Sequence, residues 1–323
     1  MIISKTPFRI PLTGGGTDLD FYYKKRLGQL YSLAINQHVY VLIHKREIDK
    51  NYLIQTTKTE FSEKINLINH DLIRETLKFF NLKEKLHVST FSTIPTNTGL
   101  GSSSSMIIGL INCIKRLKNI RLSNLDTIKT AYKIERKICN NYGGWQDQVI
   151  SQYGGLIKLN ITKKEKLNVD RISLNRDICE RVEKNFILVY SKKKRFSSVV
   201  ASSIKNRKIK ILENYDEIKA LNQKLIFSIK NKDPKYIADI FNKHWVIKKR
   251  LSNKITDKKI NQFYDHLMKK YKFLGGKLIG AGGGGFFLMV TKNKKKLISL
   301  LNKDKISYID FKIEKFGSQI ILG

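Results

Sequence analysis

Two spacings of apolar residues alternate along the chain, and the switches between them mark its elements. Residues 2–12 (IISKTPFRIPL) are rich in β-branched and apolar positions and predict a strand. The same signal runs through residues 28–54 and is densest at Val39-Tyr40-Val41-Leu42-Ile43-His44. Residues 71–80 predict a helix, and 86–94 a strand that feeds a loop of glycines and serines. Helices are predicted over 103–117 and 125–140, and strands over 153–159 and 186–190. From 216 to about 270 the pattern is helical, with Leu221, Leu225 and Ile229 on one face. A strand over 286–290 and further strand-like segments complete the pattern. The polar stretch 162–176 reads as a domain junction, dividing residues 1–165 from 166–323. No internal repeat appears. A dinucleotide-binding fold is not supported.

Length and composition add limits to this pattern. A chain of 323 residues, 41% of them hydrophobic, can build two modest domains that share a cleft. Its 62 Lys and Arg outnumber 27 Asp and Glu, for a net charge of +35. Such an excess fits nucleic acid, an anionic membrane surface or a site for anionic substrates. The lysines are scattered and no nucleic-acid-binding module organises them, which favours the substrate reading and no specific nucleic-acid partner. Three widely spaced cysteines, Cys113, Cys139 and Cys179, suit reduced thiols. Six histidines without paired ligand spacing offer no zinc site. The first residues run straight into a motif, without a signal peptide, and no apolar run reaches membrane-spanning length. A soluble, cytoplasmic protein is expected, with no membrane partner; its oligomeric state is not legible.

Three glycine-rich stretches carry the candidate chemistry. The middle one, Pro95 to Met106 (PTNTGLGSSSSM), precedes an apolar helical run. A helix start exposes unpaired N–H groups and positive dipole character, and glycines let the backbone approach an anion. By itself the stretch is equally a capped helix after a flexible loop. No Gly-Lys-Ser/Thr closes it, so it is not a Walker A loop. The first stretch is Thr6 to Asp18 (TPFRIPLTGGGTD), and the last is Gly275 to Phe286 (GGKLIGAGGGGF).

In this order, with P-x3-G-L-G-S-S in the middle, the three stretches resemble the galactokinase, homoserine kinase, mevalonate kinase and phosphomevalonate kinase (GHMP) superfamily. The first and last look most like the heptose phosphate kinases within it. The resemblance covers nearly the whole chain. It implies an α+β fold of two domains with the active site between them, and MgATP as phosphoryl donor.

Residue by residue, the resemblance implies further roles. Pro95, Thr98, Gly99, Leu100, Gly101, Ser102, Ser103 and Ser104 would hold ATP, and Ser103 and Glu135 would hold Mg2+. The string Gly143-Gly144-Trp145-Gln146-Asp147-Gln148 resembles the galactokinase G-G-I-M-D-Q, whose aspartate is catalytic, and Glu135 lies twelve residues earlier, as its metal-holding glutamate does. Read from residue type alone, Asp147 is a loop acid and equally a turn former. Arg9 aligns with a basic residue at the reacting centre, where it would offset charge. Asp18 either caps the segment after it or bonds sugar hydroxyls, and Gly15, Gly16, Thr17, Gly144, Gly282 and Gly283 would surround the sugar. Galactokinases carry Glu-His where this chain has Gly15-Gly16, which would make room for a different sugar. Ser191, Arg195 and Ser197 partly match a T-G-x-x-R-x-S loop of heptose kinases, although Lys192 replaces its glycine. Arg195 and Ser197 would there grip a substrate phosphate. Lys5, Lys248 and Lys249 are further candidate cations, the last two equally a solvated face. Trp245 reads as core.

The implied acceptor is D-glycero-D-manno-heptose 7-phosphate, phosphorylated at its anomeric hydroxyl for nucleotide-activated heptose synthesis and surface polysaccharide. The alternatives are a sugar 1-kinase for an unphosphorylated sugar such as galactose or fucose, and a sugar- and ATP-binding sensor without turnover.

Overall fold

The computed structural model describes residues 1–96, 98–193, 200, 203–204, 210–231 and 233–323. The first strand, β1 (Ile2–Thr13), is buried almost throughout from Thr6 onward. A short helix, α1 (Asp20–Tyr23), follows, and then the long strand β2 (Gly28–Lys45) runs antiparallel to β1, with Arg9 opposite Ala34. The continuous strand signal over 28–54 is in fact β2 followed by a separate strand β3 (Tyr52–Gln55), which hairpins with β4 (Thr59–Ser62). Then come α2 (Asp71–Phe79), β5 (Leu86–Ser92) and α3 (Ser102–Lys118). Helix α3 packs across β1 and β2, and Gly109 sets how closely. A Cβ there would lie 2.8 Å from Ser4 Oγ and 2.9 Å from Thr6 Oγ1. Small residues at such a contact let helix and sheet backbones approach.

The helix predicted over 125–140 is interrupted. Helix α4 (Asn124–Tyr132) passes into a π-helical turn, Lys133–Ile138. Helix α5 (Gln146–Tyr153) occupies the start of the predicted strand at 153, and the strand β6 begins only at Leu156 (Leu156–Ile161). Gly154 and Gly155, at φ 68° and 67°, make the reversal between them.

The sheet does not end at residue 165. Strand β7 (Leu167–Ile172) pairs antiparallel with β6, around a turn in which Thr162 N donates to Lys166 O at 3.1 Å and Glu165 takes φ 60°. The polar composition that reads as a junction belongs to this turn and to an outer strand that buries only Leu167 fully. The chain leaves the first sheet only after Ile172.

The second part holds α6 (Arg176–Asn185), β8 (Phe186–Tyr190), α7 (Lys210–Asn231), α8 (Pro234–Leu251), α9 (Lys258–Lys270), β9 (Gly275–Leu278), β10 (Phe286–Val290), α10 (Lys294–Lys303) and β11 (Tyr308–Ile309). Its sheet runs β11-β8-β10-β9. Helix α8 lies on β9, with Pro234 in its first turn, the Asp233 carboxylate accepting from Lys235 N, and Lys248, Lys249 and Arg250 in its last turn. Strand β12 (Gln319–Leu322) then returns to pair with β1. The two sheets are thus tied by covalent crossings at both ends of the second part. No described helix is long and apolar enough to cross a membrane. Cys113, Cys139 and Cys179 are free.

Candidate active site

A cleft of about 780 Å³ lies where the two parts meet, a size typical of small-molecule sites. Strand β1 brings Arg9 to it. The guanidinium holds the Asp147 carboxylate in a bidentate pair, Nε to Oδ1 and Nη2 to Oδ2, each at 2.7 Å. Its Nη1 donates to Gly99 O at 2.5 Å, and Arg9 N donates to Leu100 O. One arginine thereby joins the Asp147 acid to the glycine–serine loop. Arg9 is 5% exposed, so this planar, two-oxygen grip is shielded from water. Asp147 is not a loop acid: it sits in the first turn of α5. The preceding Trp145 stacks on Tyr132 at 3.6 Å and 5°, which pins this helix start to α4.

The glycine–serine loop has the backbone that anion binding requires. Gly99 and Gly101 take φ 94° and 85°, and Gly101 directly precedes α3. The first main-chain bond of α3 runs from Ser105 N to Gly101 O, so the N–H groups of Ser102, Ser103 and Ser104 belong to the unpaired first turn. Gly99, Gly101, Ser102, Ser103 and Ser104 line the cleft. Thr98 and Leu100 are buried behind it, with Thr98 Oγ1 donating to Pro95 O, and Pro95 is exposed away from the lining.

Glu135 stands on the π-helical turn, 1% exposed. Ser103 Oγ and Ser104 Oγ donate to its two oxygens at 2.6 and 2.7 Å, and Gln148 Nε2 donates at 2.6 Å. Arg136 Nη1 lies 3.3 Å away. A widened helical turn is a recurrent device for aiming one side chain out of register. Carboxylate and hydroxyl oxygens are hard donors that suit Mg2+. No cage of three or more His, Cys, Asp or Glu occurs among the described residues, so this pair would share the ion with triphosphate oxygens and water.

The acceptor side is built around Asp18. It does not cap α1, whose N-cap is Leu19. Its oxygens accept from Gly16 N at 3.1 Å and Gln146 N at 3.0 Å, so it caps α5 from across the chain. Burial pushes its pKa up, the Gln146 hydrogen bond opposes this, and the Asp147 charge adds to it. Gly144 is needed for this contact, since a Cβ there would lie 2.1 Å from Asp18 Oδ2. Gly15 lines the cleft, where a Cβ would reach only ordinary contact with Gln146 Oε1 and Pro11 Cβ at 3.9 Å, but the room at Gly16 is already filled: a Cβ would meet the Tyr215 ring at 2.3 Å.

Several expected contacts lie elsewhere. The Thr17 hydroxyl is wholly buried and committed to Gly14 O and Gln29 O, where it holds the turn together. Gly283 N donates to Ile255 O, and Gly282 packs on Ile255, so the last glycine run edges the cleft with Gly280 and Ala281 instead. Lys248 lines the cleft. Lys249 is exposed with its ammonium over the Trp245 ring, and Lys5 pairs with Glu314. Arg195 and Ser197 fall outside the described residues. Trp245 is core, as read. Tyr215, His244 and Lys277 line the cleft although nothing in their local spacing marked them. Lys277 stands inside the quoted G-G-K-L motif, and His244 precedes Lys248 by one helical turn.

Residues 66–155 match the model of the GHMP kinases N terminal domain. The chain carries a GHMP kinase N-terminal domain. This kinase is 27% identical to the D-glycero-alpha-D-manno-heptose 7-phosphate kinase of Campylobacter jejuni, over 98% of this chain and 97% of that protein. Among solved structures, a D-glycero-D-manno-heptose 1-phosphate kinase from Bacteriodes thetaiotaomicron superposes with a TM-score of 0.82 at 21% identity, covering 100% of this chain and 99% of that one. The Methanococcus jannaschii mevalonate kinase superposes with a TM-score of 0.73 at 22% identity, covering 97% and 98%. The α+β, two-domain GHMP kinase fold expected from the sequence is therefore the fold observed. The protein is an ATP-dependent phosphotransferase with an alcohol group as acceptor.

Proposed function

We propose that this kinase transfers the γ-phosphoryl group of MgATP to the anomeric hydroxyl of D-glycero-D-manno-heptose 7-phosphate, giving the 1,7-bisphosphate for nucleotide-activated heptose synthesis. The observation that carries the reading is the reach of Arg9, which holds Asp147 with one edge and Gly99 O with its third nitrogen. That arrangement brings an acid for the acceptor and a loop for the donor to one point. The near full-length likeness to a heptose 7-phosphate kinase supports the choice of sugar.

In this reading the backbone from Gly99 to Ser104 cradles the triphosphate at the α3 N-terminus. Ser103 and Glu135 hold Mg2+, which when bound offsets phosphate charge. Asp147 takes the proton from the acceptor hydroxyl, or orients that hydroxyl if transfer is strongly dissociative. Arg9 keeps Asp147 in place and offsets charge developing between donor and acceptor. Asp18, Gly15 and Gly144 bound the sugar.

The test is ADP release with heptose 7-phosphate, the free heptose, galactose, fucose and mannose 6-phosphate as acceptors, with phosphorus NMR of the product. Selective turnover of heptose 7-phosphate to an anomeric phosphate is expected. A faster reaction with a free sugar would replace this acceptor with an unphosphorylated one, and absence of turnover with every sugar would point to a sensor.

A further inference from the structure

The half of the cleft contributed by α8 and β9 holds three buried basic side chains. His244, Lys248 and Lys277 are 4%, 7% and 1% exposed. His244 and Lys248 are four residues apart on α8 and so share a face. Lys277 comes from β9, beneath that helix. The Lys277 ammonium donates to Pro11 O at 2.9 Å and lies over the Phe241 ring. Lys248 Nζ donates to Leu278 O and Gly280 O. Neither ring nitrogen of His244 has a hydrogen-bond partner among the described residues.

No described carboxylate pairs with His244 or Lys277. The charges acting on His244 are those of Lys277 and Lys248, both of which oppose its protonation. The acids that line the cleft, Asp18, Asp20, Glu135 and Asp147, all come from before residue 150. Burying basic groups together without a counter-charge is costly. Burial alone brings the Lys277 pKa down to about 7. A fold that keeps such a wall facing a substrate cleft has a use for an anion there.

Resting on the acceptor reading above, we propose that His244 and Lys277, with Lys248 behind them, form the subsite for the acceptor's own phosphate. Position supports this assignment. Lys277 meets β1 at Pro11, which lies two residues beyond Arg9, roughly 7 Å along the strand. That separation is on the scale of one sugar between its reacting end and its far end. The triphosphate loop meets Arg9 itself, at Gly99 O. A dianion beside Lys277 and His244 supplies the missing counter-charge, gives the His244 ring an acceptor and draws a proton onto the wall. The specificity for a phosphorylated sugar thus resides in the α8–β9 wall, and Arg195 and Ser197 are not required for it.

The experiment compares wild type with Lys277→Gln, which keeps a donor for Pro11 O but removes the charge, and with His244→Phe. Three quantities are read: the ratio of kcat/KM for heptose 7-phosphate to that for free heptose, the KM for ATP, and inhibition by inorganic phosphate in the presence of MgADP. Melting temperature checks that each variant is folded. Lys277→Gln should lower the phosphorylated-to-free ratio by about 10–100-fold, the loss expected for a charged hydrogen bond. It should weaken inorganic phosphate inhibition by a similar factor and leave the KM for ATP within about twofold of wild type. Calorimetry of phosphate binding near pH 7.5 in two buffers of different ionisation enthalpy should show proton uptake in wild type that is lost in Lys277→Gln. Variants that keep the wild-type ratio and phosphate affinity would overturn the proposal. A rise in the KM for ATP with an unchanged ratio would also overturn it, by giving the wall to the nucleotide. Collapse of the ratio in Arg195→Ala with Lys277→Gln unaffected would move the grip to Arg195. If wild type fails to use heptose 7-phosphate yet Lys277→Gln loses phosphate binding, the choice of sugar falls and the phosphate subsite stands.

Discussion

Arg9 and Asp147 are 138 positions apart in sequence and meet edge to edge, with two nitrogen-to-oxygen distances of 2.7 Å. The pair joins a strand of the first sheet to the first turn of α5. Since the same guanidinium holds Gly99 O, the pair also sets where the glycine–serine loop stands relative to the acid. Asp147→Asn keeps this shape and removes the charge. Turnover should fall about 10²–10⁴-fold, with ATP affinity nearly unchanged. Steady-state kinetics beside nucleotide titration checks it; activity within threefold of wild type would remove Asp147 from the reaction.

Arg9→Lys tests the grip itself. A lysine keeps the charge but cannot hold both carboxylate oxygens and Gly99 O from one plane. Its kcat should drop at least tenfold while the overall fold persists. A variant with unchanged kcat would show that charge alone is enough.

Ser103→Ala and Glu135→Gln should each raise the Mg2+ concentration for half-maximal rate at fixed ATP. Ser103 Oγ and Glu135 Oε1 are 2.6 Å apart on elements that only tertiary folding brings together. Titration of Mg2+ reads this directly, and an unchanged midpoint in both variants would place the ion on the triphosphate and water alone.

Gly16→Ala should destabilise the fold by about 2–5 kcal/mol, combining strain at φ 93° with overlap on Tyr215. Tyr215→Ala in the same chain should recover the overlap part and leave the backbone part. Urea unfolding of the two single variants and the double variant separates the contributions. Purely additive costs would mean that the ring moves aside freely.

Lys277→Met should stabilise the protein, by about 1–3 kcal/mol near pH 7, while impairing the acceptor site. The sign follows from burial. The native pKa of about 7 lies below the ordinary lysine value of 10.5. Between these values the unfolded chain binds more protons than the native one, so wild-type stability gains with rising pH. The cost of Lys277 is therefore full below pH 7 and fades toward pH 10. Melting curves of both proteins at pH 6.5 and 9.5 should show the advantage of the variant shrinking. An equal difference at both pH values would mean that Lys277 is not held neutral.

Much of the site was legible in the chain because glycine carries local conformational information. Gly99, Gly101 and Gly144 stand where left-handed backbone or close approach is required, and the family resemblance of the motifs pointed to them together with Arg9, Glu135 and Asp147, which line the same cleft. Strand and helix identity was also legible, since β1, α3 and β10 have long apolar patterns that local propensity and burial reinforce. The π-helical turn under Glu135 was not, because one extra residue in a turn leaves composition and spacing unchanged. Nor was the continuation of the first sheet through β7, an outer strand as polar as a linker.

Tertiary structure alone decided which residues of the second part face the cleft. Thr17 lay inside a motif, yet its hydroxyl closes a turn. Gly282 and Gly283 pack on Ile255, while Gly280 and Ala281 reach the cleft. Tyr215 fills the space that an absent side chain at Gly16 leaves. His244 and Lys277 have ordinary helix and strand positions, and what distinguishes them is burial beside each other without a counter-charge. A sequence specifies local backbone preference at each residue. Burial, charge pairing and the facing of one wall toward another are sums over distant contacts, and these exist only once β1, α8 and β9 are packed together.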